Sequence, residues 1–357
     1  MTIKPTVLVT AATGKTGAAA CRALMNENVK VRALVHRFDH RSKSLQDMGI
    51  EILCGNLADY QTMQSAMKGV HRVYYCSPPE LHMMSKFALF LALAQEQKIE
   101  SIVLMGQWLS DPLHPTLATR DTYFAEKMLD LVSEISTSVI NPGWFADNYF
   151  LVMEPMAQLG IMPMPLGGGL NAPPSNEDLG RVIAKMLVTP SLFENKVIRP
   201  TGPELLNPVQ IASIVGNALK RKVRYQDIPE SLFLKAIRSQ GWGDFFPTML
   251  KYYTQDYREN AFAVNGVTNV VEEVTGRKAE NFEQIARRYV ENDMTAQKGL
   301  GRKLTAIKNF ARILITSKPN VANIENEWQI KHFAGTTTSS HSPVWTESHS
   351  KPNAYNY

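Results

Sequence analysis

The sequence predicts an α/β fold, a doubly wound parallel sheet with a smaller mixed C-terminal region, on three observations. Short apolar runs alternate with helical stretches over roughly the first 140 residues, the pattern of βαβ units. The runs are nearly unbroken in Val, Ile, Leu and Tyr, as in strands covered on both faces. The first run stops at a loop of small residues and glycine, and that loop opens a helix.

Taken in order, residues 6–10 (TVLVT) read as the first strand. Residues 17–25 read as a helix with Ala19, Ala20, Ala23 and Leu24 facing inward. Strands follow at 29–35, 50–53, 73–76, 102–105 and 137–141, with helices at 59–68, 83–97 and 119–134 between them. After Pro142 the rhythm breaks into a segment rich in aromatics and methionine. Ser175 then reads as an N-cap, with Asp178 three residues on, of a helix running to about Val188. Residues 196–201 read as a strand returning to the sheet, and 222–225 as a strand among later helices. This gives a dinucleotide domain at 1–145 plus the returning strand near 196–201. A substrate region follows at 146–195 and 202–290, a helical extension at 291–335, and a tail at 336–357. The tail is Ser/Thr-rich without periodicity and is expected to be disordered.

Composition narrows the function. The chain has 357 residues, 44% hydrophobic and 20% charged, with a net charge of +5. That mild excess, without clustered Lys/Arg and a recognition motif, argues against nucleic acid as a partner. Cys21, Cys54 and Cys76 are too sparse for a disulfide framework or zinc site, and no metal is expected. The apolar run at 7–9 is too short for a signal peptide, and no stretch approaches a membrane span. A cytoplasmic location is expected.

The loop Thr10-Ala11-Ala12-Thr13-Gly14-Lys15-Thr16-Gly17 carries the chemistry. Its small residues let backbone N–H groups approach a pyrophosphate, and the helix start faces the negative charge. Ala12, Thr13, Gly14, Lys15, Thr16 and Gly17 are the candidate binders in this Rossmann-type loop, and Lys15 adds charge. A glycine usually stands where this chain has Ala11. At the end of the second strand, NAD-binding folds place an acid for the ribose hydroxyl. Here His36 and Arg37 stand instead, a cationic pair suited to a 2′-phosphate. The expected cofactor is therefore NADP(H). Arg37 also reads as a solvated surface arginine.

In combination these residues resemble the NmrA-like family of atypical short-chain dehydrogenases/reductases. The loop resembles its TGATGxxG motif with Ala11 substituted. The run Val31-Arg32-Ala33-Leu34-Val35 with His36-Arg37 resembles its basic strand ending. Gly55-Asn56-Leu57-Ala58-Asp59 resembles its GDxxD stretch, with Asn56 in place of an aspartate near adenine. Ser77-Pro78-Pro79 and Asn141-Pro142-Gly143-Trp144-Phe145-Ala146-Asp147-Asn148, the latter like RPGxFxEN, complete the set, with Thr201-Gly202-Pro203-Glu204 and Asp227-Ile228-Pro229 as later landmarks. The resemblance runs from residue 5 to about 290. It adds Asn56, Ser77, Pro78, Trp144 and Phe145 to the cofactor-binding candidates.

The resemblance implies one of two callings. Some members are NADPH-dependent oxidoreductases that pass hydride to quinones, dyes or other small acceptors. Others are non-catalytic NADP(H)-sensing regulators acting through a protein partner. A small apolar carbonyl or quinone is the expected substrate, and a protein partner or homodimer stays open.

Tyr123 and Lys127 form a Y-x-x-x-K pair on one helix face. In ordinary short-chain dehydrogenases such a lysine lowers the tyrosine pKa for proton donation, so both are catalytic candidates. Ser110, earlier in the chain, stands where the third member of that set can sit. The family register points elsewhere. Its members carry Lys or His four residues before a glutamate; here that glutamate is Glu126 and the residue before it is Thr122. Tyr123 and Lys127 then sit one step, about 100°, around the helix. Trp144, Phe145, Tyr149, Phe150, Met153 and Met156 read as either an apolar acceptor cleft or plain core, with Trp108 and Trp242 as further candidates.

Finally, residues 299–317 (GLGRKLTAIKNFARILITS) form a basic amphipathic helix. Leu300, Leu304, Ile307, Ala311 and Leu314 make its apolar face. Docking of that face on the chain's own body is the first expectation, with an acidic partner or membrane surface as alternatives.

Overall fold

The computed structural model describes residues 4–297 and 299–349. Its first half is the expected alternation: β1 (Thr6–Val9), α1 (Lys15–Leu24), β2 (Lys30–Val35), α2 (His40–Asp47), β3 (Glu51–Cys54), α3 (Tyr60–Met67), β4 (Arg72–Tyr75), α4 (Met83–Glu96), β5 (Ser101–Met105), α5 (Leu117–Leu129) and β6 (Ser136–Ile140). Helix α2 is missing from the sequence reading because it buries a single apolar residue, Leu45. Its start is set by Asp39, whose carboxylate accepts the Arg41 and Ser42 N–H groups. Helix α5 stops at Leu129, short of the expected Glu134.

The rest of the chain runs through α6 (Met153–Leu159), β7 (Ile161–Met164), α7 (Asn176–Val188), β8 (Lys196–Ile198), α8 (Pro208–Ala218), β9 (Arg224–Asp227), α9 (Glu230–Ser239), α10 (Phe245–Arg258), α11 (Val270–Thr275), α12 (Phe282–Asn292), α13 (Leu300–Ile315), α14 (Val321–Glu327) and α15 (Pro343–His349). Ser175 caps α7 by accepting the Asp178 N–H at 3.0 Å.

Seven strands form one sheet in the order β3-β2-β1-β4-β5-β6-β8. All its pairings are parallel, including β8 on β6. Strand residues alternate between two cores, as period-two geometry requires. Val7, Val9, Ala33 and Val103 face a core shared with α1 and α7. Leu8, Leu34, Val73 and Ile102 face one shared with α3 and α4. Helices α1 and α7 cross closely because Gly180 has no side chain; a Cβ there would lie 2.5 Å from the Ala19 carbonyl carbon.

A third core, around Trp144, Tyr149, Tyr257 and Phe282, lies in the part of the chain that follows β6. There β7 and β9 pair in parallel, Ile161 with Arg224 through Met164 with Asp227. The strand expected at 222–225 therefore begins two residues later. The cause is tertiary: its register follows β7, which the sequence reading lacks, and Arg224 N–H already bonds the Gly160 carbonyl.

Two expectations for the C-terminal part are overturned. Helix α13 does not lay its apolar face on the body. Ala306 is its one buried residue, while Leu300, Leu304, Ile307 and Leu314 are exposed. The tail, expected to be disordered over 336–357, is packed through residue 349; residues 350–357 lie outside the described residues. Trp345 is buried and donates its indole N–H to the Trp108 carbonyl at 2.8 Å. Ser339 donates its N–H to Asp256 and its hydroxyl to the Leu109 carbonyl, and the His349 ring stacks on Trp345. A few anchors order this segment although it lacks the periodicity that marks a helix or strand in sequence.

Trp345→Ala should free the tail without unfolding the sheet, because the loss is limited to the local opening free energy of the segment. Hydrogen exchange should show amides of 339–349 losing protection while β1, β4 and β5 keep theirs. Unchanged tail protection would refute the anchor.

Candidate functional site

In an open parallel sheet the ligand crevice lies beyond the strand ends where the strand order reverses, here between β1 and β4. Thr10 spans that point. Its hydroxyl accepts the Cys76 N–H and donates to the Cys76 carbonyl, both at 2.8 Å. The chain then turns sharply. Ala11 sits at φ +46°, in the left-handed region, where the family motif carries glycine and a Cβ costs about 1–2 kcal/mol. Ala12 is buried with its N–H on the Leu34 carbonyl, and Gly14 N–H bonds the Ala11 carbonyl at 2.8 Å.

The loop has the properties of an anion cradle. Gly14 is the N-cap of α1, with no side-chain hydrogen bond to the helix start and no acid in the first turn. The first amides of α1 thus lack side-chain capping. Gly14 and Lys15 are exposed and Thr13 is half-buried. Gly17 serves the loop itself: a Cβ there would meet the Ala11 oxygen at 2.5 Å. Thr16 donates to the Asn176 side chain at 2.7 Å and ties α1 to α7. Lys15 bonds Asp147 at 2.7 Å, bringing the strand-six motif to the loop.

Next to this cradle lies a cavity of about 340 Å³, lined by Ala11, His36, Gly55, Asn56, Pro78 and Lys86 among others. Asn56 shapes its wall by accepting the Ala58 N–H. Arg37, which follows the lining residue His36, is exposed 3.6 Å from Asp39, and Arg41 bonds the same carboxylate at 2.6 Å. The guanidinium beside Asp39 holds its carboxyl well below the usual range. The sequence reading missed Asp39, Arg41 and Lys86. Asp39 gathers both arginines while it caps α2; Lys86 comes from α4 and is paired with Glu80. The Asp39–Arg41 pairing is local to the start of α2, whereas Lys86 reaches the cavity only through the packing of α4.

On the other side of Ser77 and Pro79 lies a second cavity, about 260 Å³ and mainly apolar. Met83, Trp144, Phe145, Phe246, Met249 and Phe262 contribute walls, together with Trp108. Tyr149 instead belongs to the third core, its hydroxyl 2.7 Å from that of Tyr257, and Phe150 stacks on Tyr289. Of the two readings of that aromatic segment, Trp144 and Phe145 thus reach a cleft, while Tyr149, Phe150, Met153 and Met156 are core. Trp242 is exposed on a turn and stacks on Phe246.

Gln107, Thr122 and Tyr253 of this cavity belong to one network. Gln107 donates to Thr122 at 2.7 Å and to the Ala118 carbonyl. Its oxygen accepts from Thr119 and from the Tyr253 hydroxyl. Burial pushes the Tyr253 phenol well above its ordinary value, so it stays neutral. Behind this layer, Ser110 donates to Glu126 at 3.0 Å. Burial raises the Glu126 carboxyl to about 8, and its other oxygen has no partner. Gly106 leaves room for it, since a Cβ there would meet that oxygen at 2.6 Å.

Tyr123 and Lys127 are not part of this arrangement. Neither lines the cavity; the Lys127 ammonium stands 5.7 Å from the Tyr123 ring centre on the outer side of α5. Thr122, one step round the helix, is the residue that faces inward. The structure thus places the expected pair away from this cavity, where Gln107 and Tyr253 are the polar residues brought in. Tyr253 is supplied by α10, far along the chain, which no spacing could announce. Among the described residues no cluster suits a metal ion.

Comparison with known proteins agrees with this architecture. The model of the NmrA-like family matches residues 3–106. An NAD(P)H azoreductase from Xenophilus azovorans is 25% identical over 288 residues, covering 79% of this chain and 97% of that protein. The crystal structure of an NADPH-dependent quinone oxidoreductase from Escherichia coli, complexed with NADPH, superposes with a TM-score of 0.69 at 20% identity, covering 79% of this chain and 99% of that one. NmrA, a negative transcriptional regulator, superposes with a TM-score of 0.61 at 18% identity, covering 80% and 95%. The structural likenesses establish the shared fold.

Two outcomes follow. Ala11→Gly should raise stability by about 0.5–1 kcal/mol in denaturant unfolding, relief of the left-handed Cβ outweighing the added chain entropy; a loss of stability would contradict it. Glu126 binds a proton more tightly folded than unfolded, so its protonated form favours folding and this contribution is lost as pH rises from about 4.5 to about 8. Glu126→Gln should therefore be more stable than the parent at pH 8 by on the order of a few kcal/mol, with the gap closing towards pH 5 in thermal melts.

Proposed function

We propose that this chain binds NADP(H) across the β1–β4 crevice and reduces a small, flat, apolar acceptor in the 260 Å³ cavity. The reading of the cofactor rests on the uncapped α1 start at Gly14, flanked by a cavity lined by His36 and Lys86, with Arg37 next in the chain to His36 and paired, like Arg41, with Asp39. The 2′-phosphate would meet the guanidiniums of Arg37 and Arg41, the adenine would lie against Asn56 and Pro78, and the pyrophosphate would sit at residues 12–17. The nicotinamide end would reach Ser77, Trp144 and Phe145. When bound, NADPH supplies hydride.

The walls of the cavity determine what can accept it. Met83, Trp144, Phe246 and Phe262 favour a flat apolar molecule. Gln107 is held by Thr122, Thr119 and Tyr253 and can orient an acceptor oxygen through its amide. The Tyr253 hydroxyl donates to Gln107 and so helps to position that amide. An acceptor whose reduced form is a stable anion, such as a quinone or a conjugated dye, takes its proton from water and needs no side-chain acid. A simple aldehyde lacks that latitude. The azoreductase and quinone oxidoreductase relatives fit this substrate class.

One observation favours a second reading, an NADP(H)-sensing regulator. Thr122 stands where the family register carries Lys or His, which leaves no titratable side chain at that point of the cavity.

Calorimetry should show tighter binding of NADPH than of NADH, and the Arg37→Ala/Arg41→Ala variant should narrow the gap by about 1–3 kcal/mol. NADPH oxidation should be seen with quinones and dyes and be far slower with aldehydes. Tyr123→Phe and Lys127→Ala should keep wild-type turnover, whereas Phe246→Asp should abolish it with NADPH binding intact. Tight NADPH binding without turnover of any acceptor would favour the sensor, and equal affinity for NADH would overturn the cofactor assignment.

A further inference from the structure

Helix α13 presents a surface that neither the fold nor the proposed chemistry uses. At about 100° per residue, Leu300, Leu304, Ile307, Ala311 and Leu314 fall within roughly an 80° arc. That arc faces solvent: Leu300 is 84% exposed, Leu304 67%, Leu314 55%, and the neighbouring Ile315 86%. The body is met by the opposite side, where Ala306 is buried, Asn309 donates to the Glu154 carboxylate at 3.0 Å and Ile313 is half-buried. Lys235 of α9 holds the far end through the Leu314 carbonyl. The helix is thus fixed with its apolar stripe outward.

Charge selects what covers the stripe. Lys303 borders it on one edge, Lys308 and Arg312 on the other, and none of the three is in an ion pair among the described residues. No Asp or Glu occurs between Asp293 and Glu325, a stretch that carries Lys298, Arg302, Lys303, Lys308, Arg312 and Lys318. A narrow aliphatic stripe edged by long cationic side chains matches a bilayer interface, where the stems follow the apolar layer and the charges reach the headgroups. Protein interfaces instead deplete lysine and enrich aromatics at their centres. No helix of the described residues is long and apolar enough to cross a membrane, so the contact is a surface one.

We propose that α13 docks the protein on an anionic lipid surface, its axis in the plane of the interface. The full-length protein should co-sediment with vesicles of phosphatidylcholine and phosphatidylserine on the order of tenfold better than with phosphatidylcholine alone, and high salt should remove the difference. Leu304→Gln/Ile307→Gln/Leu314→Gln and Lys303→Glu/Lys308→Glu/Arg312→Glu should each lose about tenfold or more of this binding, with circular dichroism unchanged. Hydrogen exchange on the unmutated chain is independent of any variant: residues 300–315 should gain protection with anionic vesicles alone. Equal binding to neutral and anionic vesicles, or no gain of protection, would overturn the proposal. So would a wild-type dimer in sedimentation velocity that the glutamine variant makes monomeric without vesicle binding, for the stripe would then be covered by a second copy.

Discussion

An all-parallel sheet leaves no face for water, and the rest of this molecule depends on meeting that constraint. Each strand must send alternate side chains into two dry layers, so Leu8 goes one way and Val7 and Val9 the other. Helices must close both layers. On one face the crossing of α1 and α7 is tight enough that only glycine fits at position 180. That packing fixes the direction of α1, and with it where the helix start points. The crevice at the ends of β1 and β4 is a consequence of strand order, and Thr10 keeps its two lips in register.

The crevice divides the chemistry by polarity. Towards β2 the walls carry cations, but the structure does not leave them free: Asp39 gathers Arg37 and Arg41, and Glu80 holds Lys86. These pairs hold the positive groups in place, and a phosphate would compete with the half-buried Asp39 carboxylate for guanidiniums already in place. Towards β6 the walls are mainly apolar, and Thr119, Thr122 and Tyr253 are tied together through Gln107. Glu126 stands behind that layer with one buried oxygen unpartnered, a polar atom kept at a cost in stability.

The C-terminal segment is used in two opposite ways. Residues 339–349 come back to the loop after β5, and Trp345 packs edge-on against Trp108 at 5.9 Å between ring centres. The tail therefore supports the wall that Trp108 contributes to the apolar cavity. Helix α13 does the reverse and directs its most apolar side outward.

The sequence by itself determined the doubly wound sheet, since near-continuous apolar strands between helices have few other ways to bury themselves. It also determined the start of the crevice, because a loop of small residues between a strand and a helix carries its geometry locally. Cap signals such as Ser175 were legible for the same reason. Only the tertiary structure decided the rest. Whether Thr122 or Tyr123 faces the cavity is a rotation of about 100° that depends on how α5 lies on the sheet. Gln107 and Tyr253 lie 146 positions apart and meet only because α10 folds over β5. The face α13 turns to water, and the order in a Ser/Thr-rich tail held by Trp345 and His349, follow from contacts with distant elements, which local pattern does not encode.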